Sequence, residues 1–462
     1  MHEPKLNRAM LLCLPFVLAL VAPLRAADTL NWNTNRDLVT ADIKSTGLLH
    51  VLEGVASGTG WRVFLEPETI HTVSAKFKNL PPGEALHLLL GDVNFALIPE
   101  SGRATRLYVF HTSQQNATML VHPVKPGEEA AKARRIPNEL LVTLKPGAKI
   151  DQLARLLGAK VIGHIPNSNA YRLQFDSEEA ADAARAQLAA SPDVTSVNDN
   201  YVLDRPSDPR GMPSAAGGLP SLQLKPPPDS GRVIVGLIDT AVQPLGNNLD
   251  SFMLKQISVA GQAQPNADDP THGTAVAETL LRSLQEATKG STSVQILPVD
   301  VYGPNSTTST FDVANGVVQA VNGGATVLNL SLGSDADSPF LRDLLQTIIK
   351  KGITVIAAAG NQPVTTPFYP AAYSDIGVIA VTATDGGQLA SYANRGSFVT
   401  VAAPGTSVVY FDGKEYIAEG TSMAAPVVAG LAAGYMDLNH ANATKAKSFI
   451  VSTLAFKPGT AP

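Results

Sequence analysis

The chain reads as an α/β protein: a parallel sheet with helices on both faces, preceded by two small α+β domains. Three observations predict this. From residue 233 to about 456, apolar β-branched runs alternate with helical patterns, the mark of parallel strands buried beneath crossover helices. Upstream, residues 30–112 and 138–204 each hold only a few strand and helix candidates, enough for a small module. A length of 462 residues is also too great for one average domain.

Composition narrows what such a chain can be. With 44% hydrophobic and 6% aromatic residues it is an ordinary globular mixture. The formal charge of −5, from 35 basic and 40 acidic residues, comes without any block of like charge. Neither nucleic acid nor a lipid surface is therefore expected as a partner. The single cysteine, Cys13, allows no internal disulfide and no thiolate metal site in the mature protein.

Residues 1–26 read as an export signal, because Lys5 and Arg8 precede an apolar run over 9–22, and Ala26 and Ala27 follow before Asp28. The run is short of the roughly 20 apolar residues a spanning helix needs, and Pro15 interrupts it. An exported protein, periplasmic or extracellular, is expected.

Residues 28–115 make the first small domain, with strands expected over 61–65 and 107–111 and helices over 48–58 and 82–90. Its strings Leu48-Leu49-His50-Val51-Leu52-Glu53, Gly60-Trp61-Arg62-Val63 and Lys76-Phe77-Lys78-Asn79-Leu80-Pro81-Pro82-Gly83-Glu84-Ala85-Leu86 resemble the short N-terminal domain of secretins and TonB-dependent receptors. That resemblance implies docking to an envelope protein; a generic accessory module is the alternative.

A linker at 123–137 leads to the second domain, 138–204. Strands are expected over 140–144, 171–175 and 194–202 and helices over 151–157 and 178–190, the latter opened by Asp176 and Glu179 at capping-box spacing. Ile136-Pro137-Asn138-Glu139-Leu140-Leu141-Val142, with Pro192-Asp193-Val194-Thr195-Ser196-Val197, resembles the propeptide of subtilisins, which implies an intramolecular chaperone and inhibitor. Residues 205–231 are proline-rich and aperiodic, and are expected to be exposed and cleavable.

The third domain, 232–458, has strands expected over 233–238, 295–301, 326–332, 354–359 and 378–382. Ligand sites in such sheets lie at the carboxyl ends of the strands. Three motifs fall there. Val235-Gly236-Leu237-Ile238-Asp239-Thr240 ends an apolar strand in a carboxylate able to orient an imidazole, although such an Asp is more often a cap or turn residue. Thr271-His272-Gly273-Thr274-Ala275 opens a helix with a histidine, followed by a glycine that permits close approach. After Gly231 the only other histidine is His440, so His272 is the candidate base. Glu419-Gly420-Thr421-Ser422-Met423-Ala424-Ala425-Pro426 starts a small-residue helix. A serine there lies beside unpaired backbone N–H groups and the positive end of the helix dipole, which suits an oxygen nucleophile.

The order Asp, His, Ser along the chain is that of subtilisin, and the third domain resembles the subtilisin family over nearly all of its length. Serine-carboxyl peptidases share a Gly-Thr-Ser motif but lack the His-Gly-Thr element found at His272. The resemblance implies a secreted serine endopeptidase acting on polypeptides. Ser422 would attack the peptide carbonyl, His272 would accept its proton and Asp239 would hold the imidazole. It further implies that Asn361, in Ala357-Ala358-Ala359-Gly360-Asn361, supplies an oxyanion donor. Ser331, Leu332 and Gly333 would pair with the substrate backbone, residues 306–309 would form the opposite edge, and Ala358, Ala359, Gly360 and residues 369–371 would line the pocket for the side chain before the scissile bond. Two positions depart from the family pattern: Ala241 and Glu278 stand where glycines are usual. No cofactor is expected; no clear carboxylate-rich loop marks a calcium site, and a structural calcium stays open. The rival readings are an exported binding protein with a catalytically silent fold and a hydrolase acting mainly on esters.

Overall fold

The computed structural model describes residues 29–33, 38–66, 69, 71–99, 105–121, 134–212, 222–225 and 233–456. The export signal and most of the linker at 123–137 lie outside them. The chain divides into two compact units, Met1–Lys125 and Pro126–Pro462, so the second and third domains expected from sequence pack as one body.

The first unit contains β1 (Thr29–Asn33), β2 (Leu38–Gly47), α1 (Leu48–Thr59), β3 (Arg62–Leu65), β4 (Thr72–Leu80), α2 (Pro82–Leu90), β5 (Asn94–Ile98), β6 (Arg106–Phe110) and β7 (Met119–Val121). Two sheets result, ordered β1-β2-β4 and β5-β6-β3-β7. Five of these strands carry no signal strong enough to read in advance. In β4, for example, Lys76 and Lys78 alternate with a row of Val73, Ala75 and Phe77 that packs on the core under α1 and α2.

In the second unit β8 (Arg135–Leu144), α3 (Ile150–Leu157), β9 (Lys160–His164), β10 (Ala170–Gln174), α4 (Glu178–Ala190) and β11 (Val194–Asp204) form the small module. The cap of α4 is Ser177, not Asp176: its hydroxyl accepts the Ala180 N–H at 3.2 Å. The extended backbone at Ser177 puts a short side chain within reach of that orphan donor.

The large sheet runs β14-β15-β13-β17-β18-β19-β20, with β21 beside β19. Its strands are β13 (Ile234–Asp239), β14 (Ile257–Ser258), β15 (Gln295–Asp300), β17 (Val327–Leu330), β18 (Thr354–Ala358), β19 (Ile379–Asp385), β20 (Gln388–Leu389) and β21 (Val401–Pro404). The ladders from β14 to β19, and the pairing of β19 with β21, are parallel, and only β20 is antiparallel. Alternation along each strand divides the core. Val235, Leu237 and Ile356 face α5 (His272–Thr288) and α8 (Thr421–Asn439). Ile238, Leu328 and Val355 face α6 (Thr310–Asn322) and α7 (Pro339–Lys350). The small residues of α8 let it pass close to α5, since a side chain at Gly430 would meet Leu280 O and Ser283. A final helix, α9 (Ala443–Leu454), and a hairpin of β22 (Thr406–Phe411) and β23 (Lys414–Glu419) complete the body.

Two features correct the expectations. Strand β16 (Thr307–Ser309) pairs antiparallel with β11, Val202 facing Ser309 and Asp204 facing Thr307, so the small module's sheet extends as β9-β10-β8-β11-β16. The proline-rich stretch is not uniformly exposed. Arg210–Gly211 forms β12 against β23, and Leu224 is only 3% exposed, packed in the large core. An aperiodic segment can still dock when a single apolar side chain and an open strand edge are available to it.

Candidate active site

Asp239 ends β13 and is fully buried. Its Oδ1 accepts the Thr240 N–H at 2.7 Å and lies 2.7 Å from His272 Nδ1. Among the described residues its buried Oδ2 has no partner, which leaves Oδ1 as the oxygen fixed by hydrogen bonds. The backbone that carries the imidazole is fixed by the start of its helix. Thr271 caps α5, accepting the Thr274 N–H at 3.1 Å and donating to Ala241 O at 2.6 Å. Gly273 is required here because a side chain would collide with Thr240 O. With Nδ1–H committed to Asp239, Nε2 is left as the acceptor.

The desolvated strand ends around Asp239 hold two further acids. Asp300 lies beside it in the β13–β15 register, and burial, with a smaller contribution from Asp239, raises its carboxyl above the ordinary range. Burial first and the Asp239 charge second push the Tyr302 phenol well above its usual value.

Ser422 stands in the first turn of α8. Its hydroxyl donates to Ser331 O at 3.2 Å, and the Ser331 hydroxyl donates to Ser422 O at 2.8 Å. Asn361 Oδ1 accepts from both Thr421 N, at 2.8 Å, and Thr421 Oγ1, at 3.0 Å. With the oxygen engaged, Nδ2 is the end of that amide left to donate among the described residues. Thr421 Oγ1 in turn accepts the Gly360 N–H at 3.0 Å, and Asn394 ties down the same turn: it donates its N–H to Gly360 O and accepts the Gln362 N–H. Thr421 and Asn394 carry roles that no spacing in the sequence marks.

These groups share one cavity of about 420 Å³, lined by His272, Ser422, Asn361, Ser331, Leu332, Gly333, Ala358, Gly360 and Phe368. Asp204, the last residue of the small module, and the three that follow it, Arg205, Pro206 and Ser207, line it too, together with Arg134. Ala359 and residues 369–371 are not on its wall. Ala359, one step along from Ala358, turns into the opposite core, and Tyr369 is engaged by Ser334 through two backbone hydrogen bonds. Glu278 lies on a separate cavity of about 790 Å³, ion-paired with Arg282 and accepting the Tyr410 N–H at 2.8 Å. Burial keeps its carboxyl above the usual range. That larger cavity contains none of the Asp–His–Ser residues. Among the described residues no cluster of His, Cys, Asp or Glu could hold a metal ion, and no helix is long and apolar enough to cross a membrane.

The profile of the subtilase family matches residues 230–460, and that of the fervidolysin N-terminal prodomain matches residues 123–200. The thermophilic serine proteinase of Bacillus sp. (strain AK1) is 37% identical over 205 residues, which are 43% of this chain and 51% of that protein. Subtilisin Savinase of Lederbergia lenta is 36% identical over 176 residues, 37% of this chain and 65% of the relative. The chain thus spans from about half to just under two thirds of these curated relatives. Among solved structures, fervidolysin from Fervidobacterium pennivorans aligns with a TM-score of 0.48 and 21% identity, covering 65% of this chain and 54% of that one. The family profile spans 230–460, half of the 462 residues and nearly the whole large-sheet domain; the chain belongs to the subtilase family and carries a fervidolysin-like prodomain ahead of its peptidase domain.

Proposed function

We propose that the protein is an exported serine endopeptidase made as a self-processing zymogen. The observation that carries this reading is the 2.7 Å contact of buried Asp239 with His272, which lines one cavity with Ser422 and Asn361, a cavity that the chain's own residues 204–207 enter. In this reading the Ser422 hydroxyl turns from Ser331 O towards Nε2 of His272 as it attacks a peptide carbonyl. The Oγ–C bond forms, the proton passes to Nε2, and Asp239 stabilises the imidazolium. Nδ2 of Asn361 and the backbone N–H of Ser422 donate to the oxyanion. His272 then protonates the leaving amine, and water hydrolyses the acyl-enzyme. Ser331 O, released by the serine, becomes free to accept a substrate N–H, so substrate binds as an added strand between Ser331–Gly333 and β16.

The prodomain is read as the inhibitor. Its last strand already occupies the β16 edge, and buried Asn200 accepts from Thr310 Oγ1 and Phe311 N at the start of α6. Export is supported by the basic, apolar and small-residue order of 1–27. Envelope docking by the N-terminal unit is supported by its motif strings alone.

Expression of the full chain beside its Ser422→Ala form tests the reading. The wild type should shorten and take a fluorophosphonate label, while the variant does neither. Two full-length, unlabelled proteins would overturn it.

A further inference from the structure

Downstream of the cavity the chain keeps a defined course. Asp208 Oδ1 accepts the His272 backbone N–H at 2.7 Å, one of the orphan donors at the start of α5. Two residues on, Arg210 pairs with Glu419 at 2.6 Å. Arg210 and Gly211 lie antiparallel to Ile417 and Tyr416 on β23, and the Met212 N–H reaches Glu415 O at 2.9 Å. Strand β23 runs through Gly420 directly into α8, whose first turn carries Ser422. The segment therefore lies on the leaving-group side of residues 204–207, on a strand edge contiguous with the nucleophile.

Main-chain pairing of this kind is transferable between polypeptides. An edge that the zymogen covers with its own chain becomes an open template once that chain departs. We propose that the β23 edge, with Glu419 and the first N–H of α5, is a leaving-group-side recognition surface. It selects extended polypeptides that carry an acidic residue followed two positions later by a basic one. The inference rests on the peptidase reading of the cleft. Arg210 and Glu419 are 75% and 41% exposed, so the charge selection is modest and falls with salt.

The test uses enzyme activated from the full chain and internally quenched peptides spanning residues 202–212, in native form and carrying D208N or R210E. Wild-type enzyme should cleave the native peptide with a kcat/KM about two- to fivefold above either variant, the margin shrinking in 1 M salt. Glu419→Lys should reverse the preference between the native and R210E peptides, a ratio that cancels any general loss of activity. Equal rates for all three peptides with an enzyme that takes the fluorophosphonate label would overturn the inference alone; this is also the result expected if the mature N-terminus stays on β23. An enzyme that neither labels nor cleaves would overturn the peptidase reading itself.

Discussion

Ser331 and Ser422 exchange hydrogen bonds across the cleft: each hydroxyl donates to the other's carbonyl, at 2.8 Å from Ser331 and 3.2 Å from Ser422. The first bond fixes the start of α8. The second parks the proposed nucleophile on the acceptor that a substrate backbone would use, so the resting serine and the substrate compete for one oxygen.

Ser331→Ala removes the bond that holds the Ser422 carbonyl but leaves Ser331 O in place. A neutral hydrogen bond contributes about 1 kcal/mol, so fluorophosphonate labelling should slow roughly fivefold while the melting temperature changes little. Unchanged labelling would mean that the helix start is fixed by its other contacts.

Asp239→Asn should lower kcat by about ten thousandfold, because the amide no longer selects the tautomer that leaves Nε2 unprotonated. Secondary structure by circular dichroism should be retained. A loss of less than tenfold would separate the 2.7 Å contact from the chemistry.

Asn361→Ala removes the proposed oxyanion donor and should cost roughly 10² to 10³ in kcat, a magnitude that comes from subtilisin itself. Thr421→Val, which takes away one of the two hydrogen bonds orienting that amide, should cost less, about tenfold. Steady-state kinetics on the activated enzyme decide it, and a Thr421 effect exceeding the Asn361 effect would reverse the assignment.

Asp300 offers a pH test. Its Oδ1 accepts the N–H groups of Tyr302 and Gly303, while burial raises its carboxyl above the ordinary range. The folded state thus holds this proton more tightly than the unfolded chain. Its favourable contribution is present below the usual carboxylate value and lost as pH rises through the raised one. Asp300→Asn keeps an acceptor for both N–H groups and removes that loss. In a Ser422→Ala background, unfolding between pH 4 and 8 should show the variant gaining stability over its parent as pH rises.

Leu224 should limit how far downstream the proposed processing can cut. It is buried in the peptidase core, and the Lys225 N–H donates to Gly290 O, so processing should cut upstream of residue 222. N-terminal sequencing should find a start between 207 and 222, and Leu224→Ala should destabilise by about 2–5 kcal/mol. A mature protein starting after Lys225 would refute this.

Local pattern carried much of this molecule. The parallel strands of the large sheet show as unbroken apolar runs, because strands buried on both faces need no polar alternation. Five of the seven strands of the N-terminal unit and the hairpin β22–β23 did not show, since half-buried, polar-faced strands resemble loops in a single sequence; β3 and β6 did. The cap at Ser177 was misplaced by one residue because Asp and Ser are equally good caps and only the backbone turn chooses between them.

The sequence by itself determined the fold class and the candidate groups Asp239, His272 and Ser422, because periodicity and helix-start chemistry are local properties of consecutive residues. Tertiary structure alone decided which partners those groups meet. Asn394 steadies the Gly360 turn, Ser331 takes the serine hydroxyl, and the chain's own segment from Asp204 to Met212 follows the cleft and then β23. Such contacts join residues tens to hundreds of positions apart. Nothing in the neighbourhood of either partner encodes the distance that folding closes.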